Sequence, residues 1–165
     1  MNSLTAAWYR LTDLLEGLGA WIGVLGLRII LGWEFYEAGA KKKNGENWFG
    51  SIKDDFPFPF NVAPVDLSWF LATWFEIVGG IALIIGLFTR FFAASLIILT
   101  IVATAAVHWP DSYGSLTELL QGYAITDKGF GNYKLPVIFL AMLLPLVCLG
   151  PGKASIDHWL SARLR

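Results

Sequence analysis

Two charged side chains stand where an apolar chain gives charge no solvent. Arg28 follows ten uncharged residues, Leu18–Leu27, and precedes five more, Ile29–Trp33. Glu76 lies near the middle of a second apolar run. A guanidinium in hydrocarbon costs at least about 2.5–3.5 kcal/mol on insertion scales, so each charge needs a partner or a cavity. Two antiparallel helices rising about 1.5 Å per residue would bring Arg28 and Glu76 within roughly 5 Å in depth. We therefore expect a buried Arg28–Glu76 pair. Such a pair either locks two helices together or lines a cavity that holds a polar head or relays protons. Gly32 and Gly39 share the face of Arg28, and Gly79 and Gly80 follow Glu76, so a second backbone or a ligand can approach closely there.

A second cluster carries a different chemistry. Glu34 and Glu37 lie one turn apart on the first helix, Lys41 one turn further, and His108 closes the third apolar run at the same level. A histidine beside two carboxylates can bind a metal or move protons. The same residues also read as interfacial charges paired with lysines. The single Cys148 excludes an internal disulfide and a CxxC pair. Nothing in the chain resembles a phosphate-cradling loop, a nucleophile elbow or a pair of haem-ligating histidines, which disfavours a hydrolase or a self-contained redox protein.

The elements that must position these residues are membrane helices. Of 165 residues, 56% are hydrophobic and 15% charged, with mean hydropathy +0.58, against about 45–50% and about 25% in soluble domains. A net charge of −1 gives no electrostatic case for nucleic acid. The N-terminus shows no basic stretch leading into a short apolar core, so no cleaved signal peptide is read. The expected fold is all-α: one integral membrane domain over residues 1–165, a four-helix transmembrane bundle with spans near 18–40, 67–88, 91–108 and 134–150. Amphipathic surface helices are expected at both ends, carrying Leu4, Trp8, Leu11 and Leu15 at the first and Ile156, Trp159 and Leu160 at the second. Between the first two spans, Trp48, Phe49, Phe56, Phe58 and Phe60 are expected to fold a long connection over the bundle mouth, or only to anchor it at the interface. Four spans put both termini on one side. Lysines and arginines nearly tie between the two sides, so charge does not choose the orientation. Gly19 and Gly23 permit a homodimer without requiring one.

The order and spacing of these runs carry a resemblance. Arg28–Gly32 (RIILG), Ala38-Gly39 with Lys41–Lys43, Glu76–Gly80 (EIVGG) and Gly86–Arg90 (GLFTR) together resemble the DoxX family over nearly the whole chain. The FPFPFN loop, Val107–Trp109, Gly131–Tyr133 and Ser155–Asp157 are similar to its branch associated with maturation of copper-binding modified peptides. The resemblance implies a bacterial inner-membrane protein with cytoplasmic termini and both long loops outside the cytoplasm. It includes members linked to thiosulfate:quinone oxidoreductase and to oxidoreductase complexes that respond to oxidative stress. Carried onto matching positions, it points to Arg28, Gly32, Gly39, Glu76, Gly80 and Arg90. The leading expectation is thus an accessory subunit of a redox or oxidative-stress system, working with protein partners. It would bind a quinone or small polar ligand at Arg28 and Glu76, with Gly32 and Gly80 admitting it and Gly39 and Arg90 shaping helix contact and turn. The alternatives are a copper-related maturation or export factor using Glu34, Glu37 and His108, and a non-catalytic membrane scaffold. The lone Cys148 speaks against thiol redox chemistry within the chain.

Overall fold

A computed structural model of the chain describes residues 3–126 and 128–164. Helix α1, Ser3–Asn44, is unbroken for 42 residues. The expected separation of a surface helix from the first span at Gly17 does not occur. An interior glycine costs a helix only about 1 kcal/mol, and no proline or turn sequence accompanies Gly17 or Gly19 to complete the break. Lys41, Lys42 and Lys43 fill the last turn, where cations complement the helix dipole.

The chain then makes a 3-10 turn, Phe49–Asp55, before α2, Val65–Ile85, which begins directly after Pro64. Gly86 ends α2 in the left-handed conformation at φ 71°. Its amide and that of Leu87 donate back to Leu83 and Ala82, a Schellman closure that stops the helix three residues before the expected end at Phe88. Helix α3, Thr89–Ala103, runs into a π-turn, Thr104–His108. A short α4, Leu116–Gln121, interrupts the second long connection. Helix α5, Lys134–Leu149, contains Pro145, and α6, Ile156–Arg163, follows. Helices α1, α2 and α3 with its π-turn are long and apolar enough to cross a membrane, and α5 is a shorter apolar helix.

The four apolar helices meet in one core: Leu31 and Phe35 from α1, Leu83 from α2, Ala93 and Leu96 from α3, and Leu143 and Leu146 from α5. Outward, Ile30, Trp33, Phe70, Ile81, Ile98 and Leu144 lie exposed, a surface suited to lipid rather than water. The architecture is a helical membrane bundle. Helices α1 and α2 run antiparallel and touch where glycine meets glycine: a Cβ on Gly32 would fall 2.6 Å from the Gly80 carbonyl, and one on Gly80 would fall 2.6 Å from that of Gly32. Of the aromatics expected over the bundle mouth, Phe49 and Phe56 are buried, with ring centroids 5.0 Å apart, and Phe49 also packs edge-on against Trp69. Phe58 and Phe60 point outward instead, because the turn after Pro57 carries them off the bundle.

Candidate functional site

The two buried charges do not pair with each other. Arg28, 1% exposed, spends its guanidinium on backbone oxygens. Its Nε donates to Leu83 O at 2.7 Å and Nη2 to Ile84 O at 2.8 Å, while Nη1 donates to Pro151 O at 2.8 Å and Ala154 O at 2.7 Å. Leu83 and Ile84 belong to the last turn of α2, whose carbonyls form the negative end of the dipole, and Leu83 O accepts Arg28 beside the long bond from the Gly86 amide at 3.2 Å. The cation therefore ties α1, the end of α2 and the α5–α6 connection together. A Cβ on Gly86 would lie 2.6 Å from Arg28 Nη2, so glycine leaves the space that the guanidinium fills. The expected Arg28–Glu76 pair fails on register. Arg28 lies level with Ile84, and the eight residues from there to Glu76 put about 12 Å between them along α2.

Glu76 pairs with Lys42. The Lys42 ammonium donates to Oε1 at 2.8 Å and Oε2 at 2.7 Å, with 5% of the carboxylate side chain exposed and 18% of the lysine. Both groups are thereby satisfied in a place that would otherwise strand a charge. Gly39 makes the approach possible: a Cβ there would stand 2.9 Å from that of Glu76. Read as an interfacial lysine, Lys42 escapes notice in the sequence. Its signal is its spacing, three residues beyond Gly39 and fourteen beyond Arg28, which returns it to the face of both. One turn before Glu76, Thr73 is 4% exposed and its hydroxyl has no hydrogen-bond partner among the described residues.

Lys42 also lines a cavity of about 350 Å³ beneath the first long connection, together with Lys41, Glu46, Trp48 and Trp69. The two indoles stand edge to face with centroids 5.9 Å apart. The site is thus a cavity walled by two indoles and lined by Lys41, Lys42 and Glu46, with the buried Glu76 carboxylate paired to Lys42.

The second expected cluster is not assembled. Glu37 pairs with Lys41 at 2.6 Å along the helix, Glu34 is exposed, and no group of three metal-ligating acids, histidines or cysteines occurs among the described residues. His108 turns to the other loop, where Nδ1 bonds the Asn132 side chain and its carbonyl accepts from the Asn132 amide. The cause is the π-turn, which re-aims His108 away from the face that Thr100 and Thr104 share. Arg90 sits at the other end of the bundle, its Nη2 donating to Cys148 O.

Residues 23–109 match the DoxX family, a stretch that holds Arg28, Gly32, Gly39, Lys42, Glu76, Gly80 and Arg90. The chain is also 44% identical over 143 residues to an uncharacterized protein of Haemophilus influenzae, spanning 87% of this chain and 86% of that one. No solved structure matches the chain significantly.

Proposed function

This chain belongs to the DoxX family, and on that premise we propose that it is the membrane-embedded accessory subunit of a redox system, holding a quinone head or similar small polar ligand at the Lys42–Glu76 pair. The observation that carries this reading is the ion pair itself. Its lysine faces a cavity with two tryptophan walls, and its carboxylate is shut in behind. The residues fit such a head. The cavity lies near the lower end of the usual range of about 300–1,000 Å³, and its two indoles beside Lys41, Lys42 and Glu46 suit a flat ring bearing carbonyls. Trp48 and Trp69 supply the walls, and Lys42 donates a hydrogen bond to a ring oxygen. When that bond forms, Glu76 loses part of its partner and becomes the group that takes up or releases a proton behind the ring. A bound quinone supplies the two-electron chemistry. The electrons come from a partner protein, since the chain has no cysteine pair of its own. Arg28 leaves the ligand site in this reading and becomes a structural clamp. Gly32 and Gly80 serve the helix crossing rather than the ligand. In the orientation we propose, with termini in the cytoplasm of a bacterium, the cavity opens at the outer face of the inner membrane.

The test is a titration of the purified protein with a short-chain quinone, read by quenching of tryptophan fluorescence. Lys42→Met should weaken binding by about 10- to 100-fold, the worth of one hydrogen bond from a charged group at about 1.5–3 kcal/mol. Glu76→Gln should keep the elution profile of the wild type and abolish proton uptake on quinone reduction. Wild-type affinity in Lys42→Met would overturn the assignment.

A further inference from the structure

At the end of the bundle opposite Lys42, a groove of about 1,070 Å³ opens between α1, the α2–α3 turn and the α5–α6 connection. Its walls are apolar, with Val24, Phe91 and Leu149 among them, and Phe91 and Leu149 are 59% and 72% exposed. Two cations at this groove have no carboxylate partner among the described residues. Arg90 makes a long contact of 3.3 Å to the Cys148 carbonyl, and the Lys153 side chain is exposed at the rim.

The two acidic residues of the groove, Glu16 and Asp157, form no ion pair with Arg90 or Lys153 among the described residues. Asp157 is held at the α2–α3 turn, its two oxygens accepting from the Phe88 and Thr89 amides at 2.8 and 2.9 Å. With both Asp157 oxygens already holding donors, Arg90 and Lys153 keep their own donors for a ligand. The groove lies where α2 ends and α3 begins, which is headgroup depth for a bundle of this kind. Cations at that depth above an apolar wall match one ligand chemistry, a phosphate joined to acyl chains.

We propose that this groove is a phospholipid site. It holds the phosphodiester of a glycerophospholipid between Arg90 and Lys153 and lays the acyl chains along Phe91 and Leu149. Arginine matches the paired oxygens of a phosphate, and lysine adds a point charge.

Native mass spectrometry of the detergent-solubilised full chain tests this with phosphatidylglycerol, with diacylglycerol lacking the phosphate, and with inorganic phosphate as competitor. The wild type should retain phosphatidylglycerol and not diacylglycerol, and inorganic phosphate should not displace the lipid. The Arg90→Gln/Lys153→Gln double variant should lose the adduct by about tenfold or more, as two charge-assisted contacts disappear. Both side chains are exposed, so the bundle should elute as wild type; Lys153→Gln alone should show an intermediate loss if the double variant does not. Undiminished lipid in these variants, equal retention of diacylglycerol, or displacement by inorganic phosphate would each overturn the proposal.

Discussion

A guanidinium carries five N–H groups, and Arg28 places four hydrogen bonds of 2.7–2.8 Å on carbonyls from two separate segments. That fan is a property of arginine: a lysine at the same place has three donors on one atom and cannot span both segments. We expect Arg28→Lys to lower the thermal midpoint measurably and Arg28→Leu to cost at least about 1–3 kcal/mol, the penalty for leaving a buried carbonyl without its donor. Circular dichroism of the detergent-solubilised protein would check both, and quinone affinity of the surviving folded fraction should stay at the wild-type value. The sequence shows that Arg28 and Glu76 need partners, because charge inside apolar runs is visible without coordinates. It does not show that Arg28 chooses carbonyls, since every residue offers one and only the folded chain brings those of Leu83, Ile84, Pro151 and Ala154 within its reach. Lys42 was legible by its spacing from Gly39 but is masked by its neighbours Lys41 and Lys43, which do face outward.

Among the elements, the α1–α2 contact sets the register that the residues obey. At the glycine crossing each backbone occupies the space a side chain would take, so Gly80→Ala must push α1 away through its Tyr36 amide as well, 2.8 Å from the added carbon. We expect a loss of about 1–3 kcal/mol, as for other overpacked sites, together with weakened Lys42–Glu76 pairing and hence poorer quinone binding. Gly23→Ala is the matching control. Nothing lies within 4 Å of its added carbon, so it should raise helix stability by up to about 1 kcal/mol. Comparing denaturation midpoints of the two variants separates a glycine needed for contact from one that is merely present. The positions of α2, α3, α5 and α6 were legible to within a few residues because Pro64, Gly86 and Gly150 punctuate them. Two features were not. The continuity of α1 arises from the absence of a strong breaker, which a change of amphipathic pattern conceals. The π-turn adds a residue to one turn of α3 without any composition cue, and it moves His108 away from the expected acidic cluster.

At the scale of the whole molecule, the antiparallel order of α1 and α2 sets the two buried polar centres at opposite ends. Arg28 binds the segment that carries the C-terminal helix, while Lys42 and Glu76 lie under the first long connection. Helix α1 is about 63 Å long at 1.5 Å per residue, roughly twice the hydrocarbon thickness of about 30 Å, so its first turns must leave the bilayer or tilt along its surface on the side of α6. Lys153 donates its amide to the Ala20 carbonyl and so fixes the α5–α6 connection against α1 at that level. If α5 crosses as a fourth span, as we propose, both ends of the chain lie in one compartment and both long connections in the other. Single cysteines in a Cys148→Ser background make this measurable with a membrane-impermeant thiol reagent on intact cells. Glu46→Cys and Asp111→Cys should label together, and Ser161→Cys only after the membrane is opened. That pattern would place the Lys42–Glu76 cavity outside the cytoplasm, where a quinone-linked partner must then reach it. The reverse pattern would keep the bundle but move the partner to the cytoplasm, and labelling of Glu46→Cys without Asp111→Cys would break the four-span topology itself.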